Sequence, residues 1–324
     1  MKIASALGAA LCALALVAVE AGAQAYPAKP IRIIVPFPPG GTSDILTRLI
    51  GAEIAKSWGQ QVLADNRVGA NGNIGVELLA RSAPDGYTLV LMDVGNLTIS
   101  PSVYQKLPFD IIRDLAPVSM ISYSPHLLSV HPAVPARTVK ELITLAKKQP
   151  GKMNYSTGLG SAPHLAGLLF EQRAGVKWLT VPGKGGSQSM LTVITGECDV
   201  LFLGMLQSVH HAKSGKVRAL AVSSEKRDSS LPDVPTVGET PGLEGFVTGS
   251  WQGVLAPART PPDVIAKLNA EMTRIIQLPE IRKNLASQGT TPLPMSPPEF
   301  GKWLVEQKDR WAKLIKDTGF KFEN

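Results

Sequence analysis

Ile31-Arg32-Ile33-Ile34-Val35-Pro36-Phe37-Pro38-Pro39-Gly40-Gly41-Thr42-Ser43-Asp44 passes from a β-branched strand through a proline- and glycine-rich turn into the periodic apolar positions Ile45, Leu46, Leu49, Ile50 and Ile54. The pattern reads as strand, turn, helix. It returns where Met153-Asn154-Tyr155-Ser156 runs through Thr157-Gly158-Leu159-Gly160-Ser161-Ala162-Pro163-His164 into a helix from Leu165 to Arg173, ended by Gly175. Around these two units, Gln61-Val62-Leu63 leads through Asn71 to Gly75 into a helix across Leu78-Leu79. Strands are also predicted at Tyr87 to Met92, Trp178 to Val181, Val200 to Leu203 and Ala219 to Val222, with helices at 138–148 and near 187–195 and 207–214. Strands alternating with helices of this length imply an α/β fold of parallel or mixed sheets with helical crossovers.

Two extended runs interrupt the alternation: Val118 to Val130, with Pro125 inside it, and Phe246 to Leu255, after the proline- and glycine-rich stretch 231–245. Two passages between lobes imply a discontinuous domain. The expected organisation is lobe 1 at 26–124 plus 248–324 and lobe 2 at 125–247, with a hinge between them. Thr260-Pro261-Pro262-Asp263 and Ser296-Pro297-Pro298-Glu299 both read as helix starts, a hydroxyl cap followed by prolines and an acid. The helices they open carry apolar faces (Ile265, Leu268, Met272; Phe300, Trp303, Leu304, Trp311, Ile315) that need a surface to pack on, and lobe 1 is the expected one.

The chain has 324 residues, enough for two domains with sizeable cores. Lys2 precedes an apolar stretch from Ile3 to Val19, and Ala23-Gln24-Ala25 follows; this reads as a secretory signal peptide cleaved after Ala25, giving a periplasmic protein. Residues 1–25 hold Cys12, so the mature chain keeps Cys198 alone and has no internal disulfide; Cys198 reads as a packing residue. They also hold one Lys and one Glu, so the net charge stays at +7 without them. A modestly basic exported protein can steer anionic small molecules or attract acidic membrane surfaces, while export argues against nucleic acid; no run of like charge exceeds two residues (Lys147-Lys148, Lys226-Arg227), which reads as a scattered solvated surface.

The two glycine-rich turns are the candidate chemistry. Glycine lets backbone approach a ligand, the first N–H groups of a helix lack internal acceptors, and the dipole there favours negative charge. Two such ends facing each other would hold an anion without arginine; each alone would serve equally as an ordinary turn capped by Thr42 or Ser43, or by Ser161. A third strand-to-helix turn, Val181-Pro182-Gly183-Lys184-Gly185-Gly186-Ser187, offers Lys184 as a cation for the cleft or as a surface lysine. His164, at the start of a helix, is expected to be neutral, either hydrogen-bonding near the cleft or packing.

Enzyme and cofactor motifs fail. Gly249-Ser250-Trp251-Gln252-Gly253 has its serine one place early for a nucleophile elbow, Pro163 stands where a dinucleotide fingerprint needs glycine, and Gly185 follows Lys184 where a P-loop needs Ser or Thr. His210-His211 diverge on a helix and suit no metal. No cofactor, metal or catalytic residue is expected.

The motifs Ile34 to Asp44, Asn66-Arg67-Val68-Gly69-Ala70-Asn71-Gly72-Asn73-Ile74-Gly75, Tyr155 to Leu165, Leu231-Pro232-Asp233-Val234-Pro235-Thr236-Val237 and Ala256-Pro257-Ala258-Arg259-Thr260-Pro261 follow one another along the chain. In this order they resemble the tripartite tricarboxylate transporter substrate-binding proteins, also called Bug receptors. The resemblance covers essentially all of the mature chain. It implies a two-lobed periplasmic-binding-protein fold of type II that closes on a small organic carboxylate. It implies further that the loaded receptor, a monomer, delivers its acid to integral membrane permease subunits. An extracytoplasmic sensor engaging a signalling partner is the alternative, and an exported hydrolase a weaker one.

Carried over, the ligand-binding positions are Phe37, Pro39, Gly40, Gly41, Thr42 and Asp44 on one side and Thr157, Gly158, Gly160, Ser161 and His164 on the other. Asn96, Lys184 and Gly185 complete the candidate set. The sequence departs from the family where an aromatic residue usually precedes the Lys-Gly of the third turn, here Gly183, and where a histidine often precedes Pro101, here Leu97; both are expected to face or flank the far part of the ligand.

Overall fold

The computed structural model describes residues 26–318; the segment read as a signal peptide lies outside them. In chain order the strands are β1 (Ile31–Val35), β2 (Val62–Asn66), β3 (Thr88–Asp93), β4 (Leu115–Val130), β5 (Asn154–Thr157), β6 (Leu179–Pro182), β7 (Val200–Gly204), β8 (Arg218–Val222), β9 (Gly249–Pro257) and β10 (Thr291–Pro292). The helices are α1 (Thr42–Trp58), α2 (Asn73–Ala80), α3 (Val94–Val103), α4 (Val139–Lys148), α5 (Ala162–Ala174), α6 (Gly186–Ile194), α7 (Met205–Lys213), α8 (Pro262–Ile276), α9 (Pro279–Ala286) and α10 (Pro297–Thr318).

The strands run β2-β1-β3-β9-β4-β7-β5-β6, with β8 and β10 also paired to β4. β1 pairs in parallel with β2 and β3, and β5 with β6 and β7, as strands joined by helical crossovers do. β9 and β4 enter antiparallel, so both sheets are mixed.

β4 belongs to both sheets. From Leu115 to Pro125 it pairs with β9, and from His126 to Val130 it pairs with β7, with β8 beside Leu127 to Val130. Pro125 therefore does not break the strand. It lies opposite Gly249 at the changeover, where one missing N–H disturbs no continuous ladder, and the next N–H, on His126, donates to Ser223 Oγ at 2.8 Å.

Helices cover both faces of the first sheet, so β1 is buried except at Arg32. On one face Leu46, Ile50 and Ile54 of α1 meet Leu268, Met272 and Ile275 of α8; on the other, Val76 and Leu79 of α2 meet Phe300 and Leu304 of α10. The C-terminal helices thus brace the first sheet, as their apolar faces imply. Further along α10, Trp311 and Ile315 reach Ala162 and Leu165 of α5. The second sheet is cored by Tyr155, Phe170, Trp178, Phe202 and Phe246, with the Trp178 ring stacked on Phe170 at 5.2 Å and on Tyr155 at 5.4 Å. Cys198 is buried among Met190, Val193 and Leu201.

At the two C-terminal starts, Ser296 and Glu299 form the expected reciprocal cap. Thr260 does not cap α8: its hydroxyl donates to the Pro257 carbonyl at 2.8 Å and Pro261 holds the cap position. No helix among the described residues is long and apolar enough to cross a membrane.

Candidate functional site

A cavity of about 540 Å³ lies between the two sheets, at the carboxyl ends of β1, β3, β5 and β6, where ligands of open α/β sheets bind. All three glycine-rich turns line it.

The first turn is built around Asp44. Its carboxylate accepts from the Gly40 N–H at 3.0 Å, from Arg48 at 2.9 and 3.0 Å and from Asn66 at 3.1 Å. Burial alone would raise this carboxyl, but those hydrogen bonds outweigh it and hold it below the usual carboxylate range. Gly40 takes φ +77°, a left-handed value that suits glycine, and so turns the chain into α1. Thr42 and Ser43 then present themselves to the cavity as the first residues of α1, whose opening N–H groups have no intrahelical acceptor.

The second turn repeats the device. Gly160 takes φ +77° and likewise stands two residues before its helix. Its N–H donates to His164 Nδ1 at 3.1 Å, so that nitrogen is an acceptor, and burial pushes His164 down to about 4. The histidine is neutral and packed. Here the sequence expectation needs correction: the start of α5 has no free donor. The Ala162 N–H goes to Asn96 Oδ1 at 2.9 Å, Pro163 has none, and the His164 N–H goes to Ser161 Oγ at 3.2 Å. What this turn offers the cavity is the hydroxyls of Thr157 and Ser161 and the backbone of Gly158 and Leu159.

The third turn, unlike the second, leaves the start of its helix without a side-chain cap. Gly185 opens α6, and Gly186 and Lys184 line the cavity. A side chain at Gly185 would meet Pro38 Cδ at 2.7 Å, so the third turn closes directly on the first. Gly183 also lines the cavity, and a Cβ there would stand 2.8 Å from Ser189 Oγ. An aromatic residue at this position would have to displace that serine.

Leu97 is wholly buried among the residues packed on α2 and α10 and stands behind the cavity wall, not on it. Of the other expected residues, Phe37, Gly41, Thr42, Asn96, Thr157, Gly158, Ser161, Lys184 and Gly185 line the cavity. Pro39, Gly40, Asp44, Gly160 and His164 do not; they shape the turns behind it.

Three amide side chains tie the two halves across the cavity. Asn71 Nδ2 donates to the Gly160 carbonyl at 2.9 Å, while its Oδ1 accepts from Asn96 Nδ2 at 3.1 Å, and Asn96 in turn holds the Ala162 N–H. From the other side, Gln207 accepts from the Thr42 hydroxyl at 3.2 Å and donates to the Gly40 carbonyl at 3.4 Å. Asn71 and Gln207 escape a sequence reading because their partners lie 89 and 165 residues away.

The cavity floor holds one acid. Asp93 caps α3 by accepting from the Gly95 N–H at 2.9 Å, and takes further hydrogen bonds from Ser250 and from the N–H groups of Asn96 and Trp251. Burial pushes its carboxyl up to about 6 against those donors. Because Ser250 donates to Asp93, its oxygen accepts from His126 Nε2–H at 3.2 Å, and His126 Nδ1 accepts from the Thr248 hydroxyl at 3.0 Å. This Ser–His contact is no nucleophile–base pair: the serine proton points at the carboxylate, and burial pushes His126 down to about 3.

The comparisons agree with this geometry. Residues 46–320 match the tripartite tricarboxylate transporter family receptors. The protein BugT of Bordetella pertussis is 35% identical over 313 residues, 96% of each chain. Among solved structures, the periplasmic binding protein BugD superposes with TM-score 0.87 at 30% identity, over 92% of this chain and 100% of its own. Rpa4515 of R. palustris, solved with adipate, superposes with TM-score 0.88 at 32% identity, over 91% and 98%. With a family match over most of its length and relatives above 30% identity that cover it almost entirely, the chain belongs to the tripartite tricarboxylate transporter family receptors, which bind substrates and are not enzymes.

Proposed function

We propose that the chain is a periplasmic receptor that holds a small organic carboxylate, of the dicarboxylate class that includes the adipate bound by Rpa4515, in the cavity between the sheets. The observation that carries this reading is the donor set. The starts of α1 and α6 direct backbone N–H groups at one cavity, Lys184 is the one cation among its described lining residues, and the one acid there, Asp93, is already supplied with four donors. One carboxylate lies between the starts of α1 and α6, with the hydroxyls of Thr42, Thr157 and Ser161 around it. Residues 26–124 with 248–324 and residues 125–247 act as two lobes, hinged where β4 and the entry to β9 cross. Ligand binding shifts the lobes toward the closed form by its differential affinity, and the closed receptor docks on membrane permease subunits.

A thermal-shift panel of di- and tricarboxylates, aromatic acids and their neutral amides tests the reading. An acid at a hundred times its dissociation constant adds about 2.7 kcal/mol of stability. A shift with one acid and none with its amide supports an anion site. Equal shifts with acid and amide would sink it.

A further inference from the structure

A second cavity, of about 420 Å³, lies on the opposite face of the strand that floors the first. Side chains alternate along β9: Ser250 and Gln252 face the first cavity, while Gly249 and Trp251 face the second. The same division holds at the start of α5, where Ser161 lines the first cavity and Ala162 and Leu165 the second. The remaining wall comes from Leu169 and Arg173 of α5, from Gly245, Val247 and Thr248 before β9, and from α10 through Arg310, Trp311 and Lys313.

The wall is apolar with a cationic rim. Arg173, Arg310 and Lys313 all border the cavity, no acidic residue does so among the described residues, and none of the three pairs with a carboxylate there. Arg173 donates to the Glu244 carbonyl, and the Arg310 guanidinium lies 5.9 Å from the Trp311 ring centre. Among the described residues, three cations around two indoles, two leucines and a valine leave both a charge without a carboxylate and an apolar surface open to a ligand. One molecule satisfies both only if it joins an anionic head to an apolar body.

We propose that this cavity is a second ligand site, for a small anion with an apolar body such as an aryl or medium-chain alkyl carboxylate. The apolar part lies against Trp251, Trp311 and Leu165, and the head meets Arg310 and Lys313. Its walls come from α5, from α10 and from the entry to β9, so an occupant bridges elements on both sides of the changeover in β4. The site is separate from the first cavity and does not rest on the function proposed for that one.

The test is a tryptophan-emission titration of the chain with octanoate and with octanamide, since two of its indoles line this cavity. Octanoate is expected to change the emission saturably, and octanamide to bind about tenfold or more weakly for want of the charge. The double variant R310Q/K313Q should weaken octanoate by a similar factor, while K184E, on the first cavity, should leave it unchanged. Circular dichroism confirms that both variants fold. No saturable change with octanoate, equal binding of octanamide, or loss of binding in K184E but not in R310Q/K313Q would each overturn the proposal.

Discussion

Asn71 sits at φ +53°, in left-handed backbone that asparagine tolerates better than most side chains, and from there it reaches across the cavity to Gly160 and Asn96. Replacing it with glycine keeps the backbone conformation and removes only the bridge. Each hydrogen bond of this kind contributes about 1 kcal/mol net. Asn71→Gly is therefore expected to weaken the binding of the cognate acid about fivefold, with little change in melting temperature, because the closed form loses the one Asn71 bond that crosses between the lobes, to Gly160. Unchanged affinity by calorimetry would show that the amide bridges do not bias closure. The glycine-rich turns were legible in the sequence because glycine, proline and a capping hydroxyl report local backbone geometry. The amide bridges were not, because a single asparagine or glutamine carries no sign of a partner far away in the chain. The assignment of free donors to α5 failed for the same reason: Asn96, from another element, occupies the Ala162 N–H.

At the scale of elements, the strands and amphipathic helices follow from their periodicity, with ends shifted by one to three residues. α3 was not legible. Val94 to Ser100 are all buried, so the segment has no polar face and no helical pattern to read, and Pro101 stands inside it. The continuity of β4 through Pro125 was equally hidden, since it depends on a change of partners and not on the strand's own residues. At that changeover His126 is buried and neutral, with both ring nitrogens in hydrogen bonds. Its folded pKa lies below the unfolded value, so the unfolded chain takes up the proton first and stability is lost as pH falls from about 6.5 toward 3. His164 acts in the same sense down to about 4. Asp93 opposes them, its folded pKa of about 6 lying above the unfolded one, so that its cost appears as pH rises from 4 to 6. The two histidines outweigh the one acid. Melting temperature should fall on acidification below pH 6.5, and His126→Gln should flatten that fall while lowering stability at pH 7. An identical pH profile in the variant would remove His126 from the account.

At the scale of the whole molecule, two mixed sheets share β4, and helices from the end of the chain pack on both faces of the first. The alternation of strand and helix was enough to expect mixed sheets flanked by helices, though not that one strand would serve both. The proposed motion is a rotation of 125–247 against the remainder about the two crossings, which separates the first and third turns where Gly185 meets Pro38. Small-angle scattering should show the unliganded protein to be on average larger than the loaded one, and the difference should grow in Asn71→Gly. A radius of gyration unaffected by a tightly bound acid would mean that binding needs no closure.

The most direct measurement is a crystal structure of the chain with the acid that gives the largest thermal shift. The account requires one carboxylate of that acid within hydrogen-bond distance of backbone N–H groups at the starts of α1 and α6, with Thr42, Thr157 or Ser161 hydroxyls beside it. An acid seated away from these turns, or held by the start of α5 after Asn96 has let go of the Ala162 N–H, would contradict it.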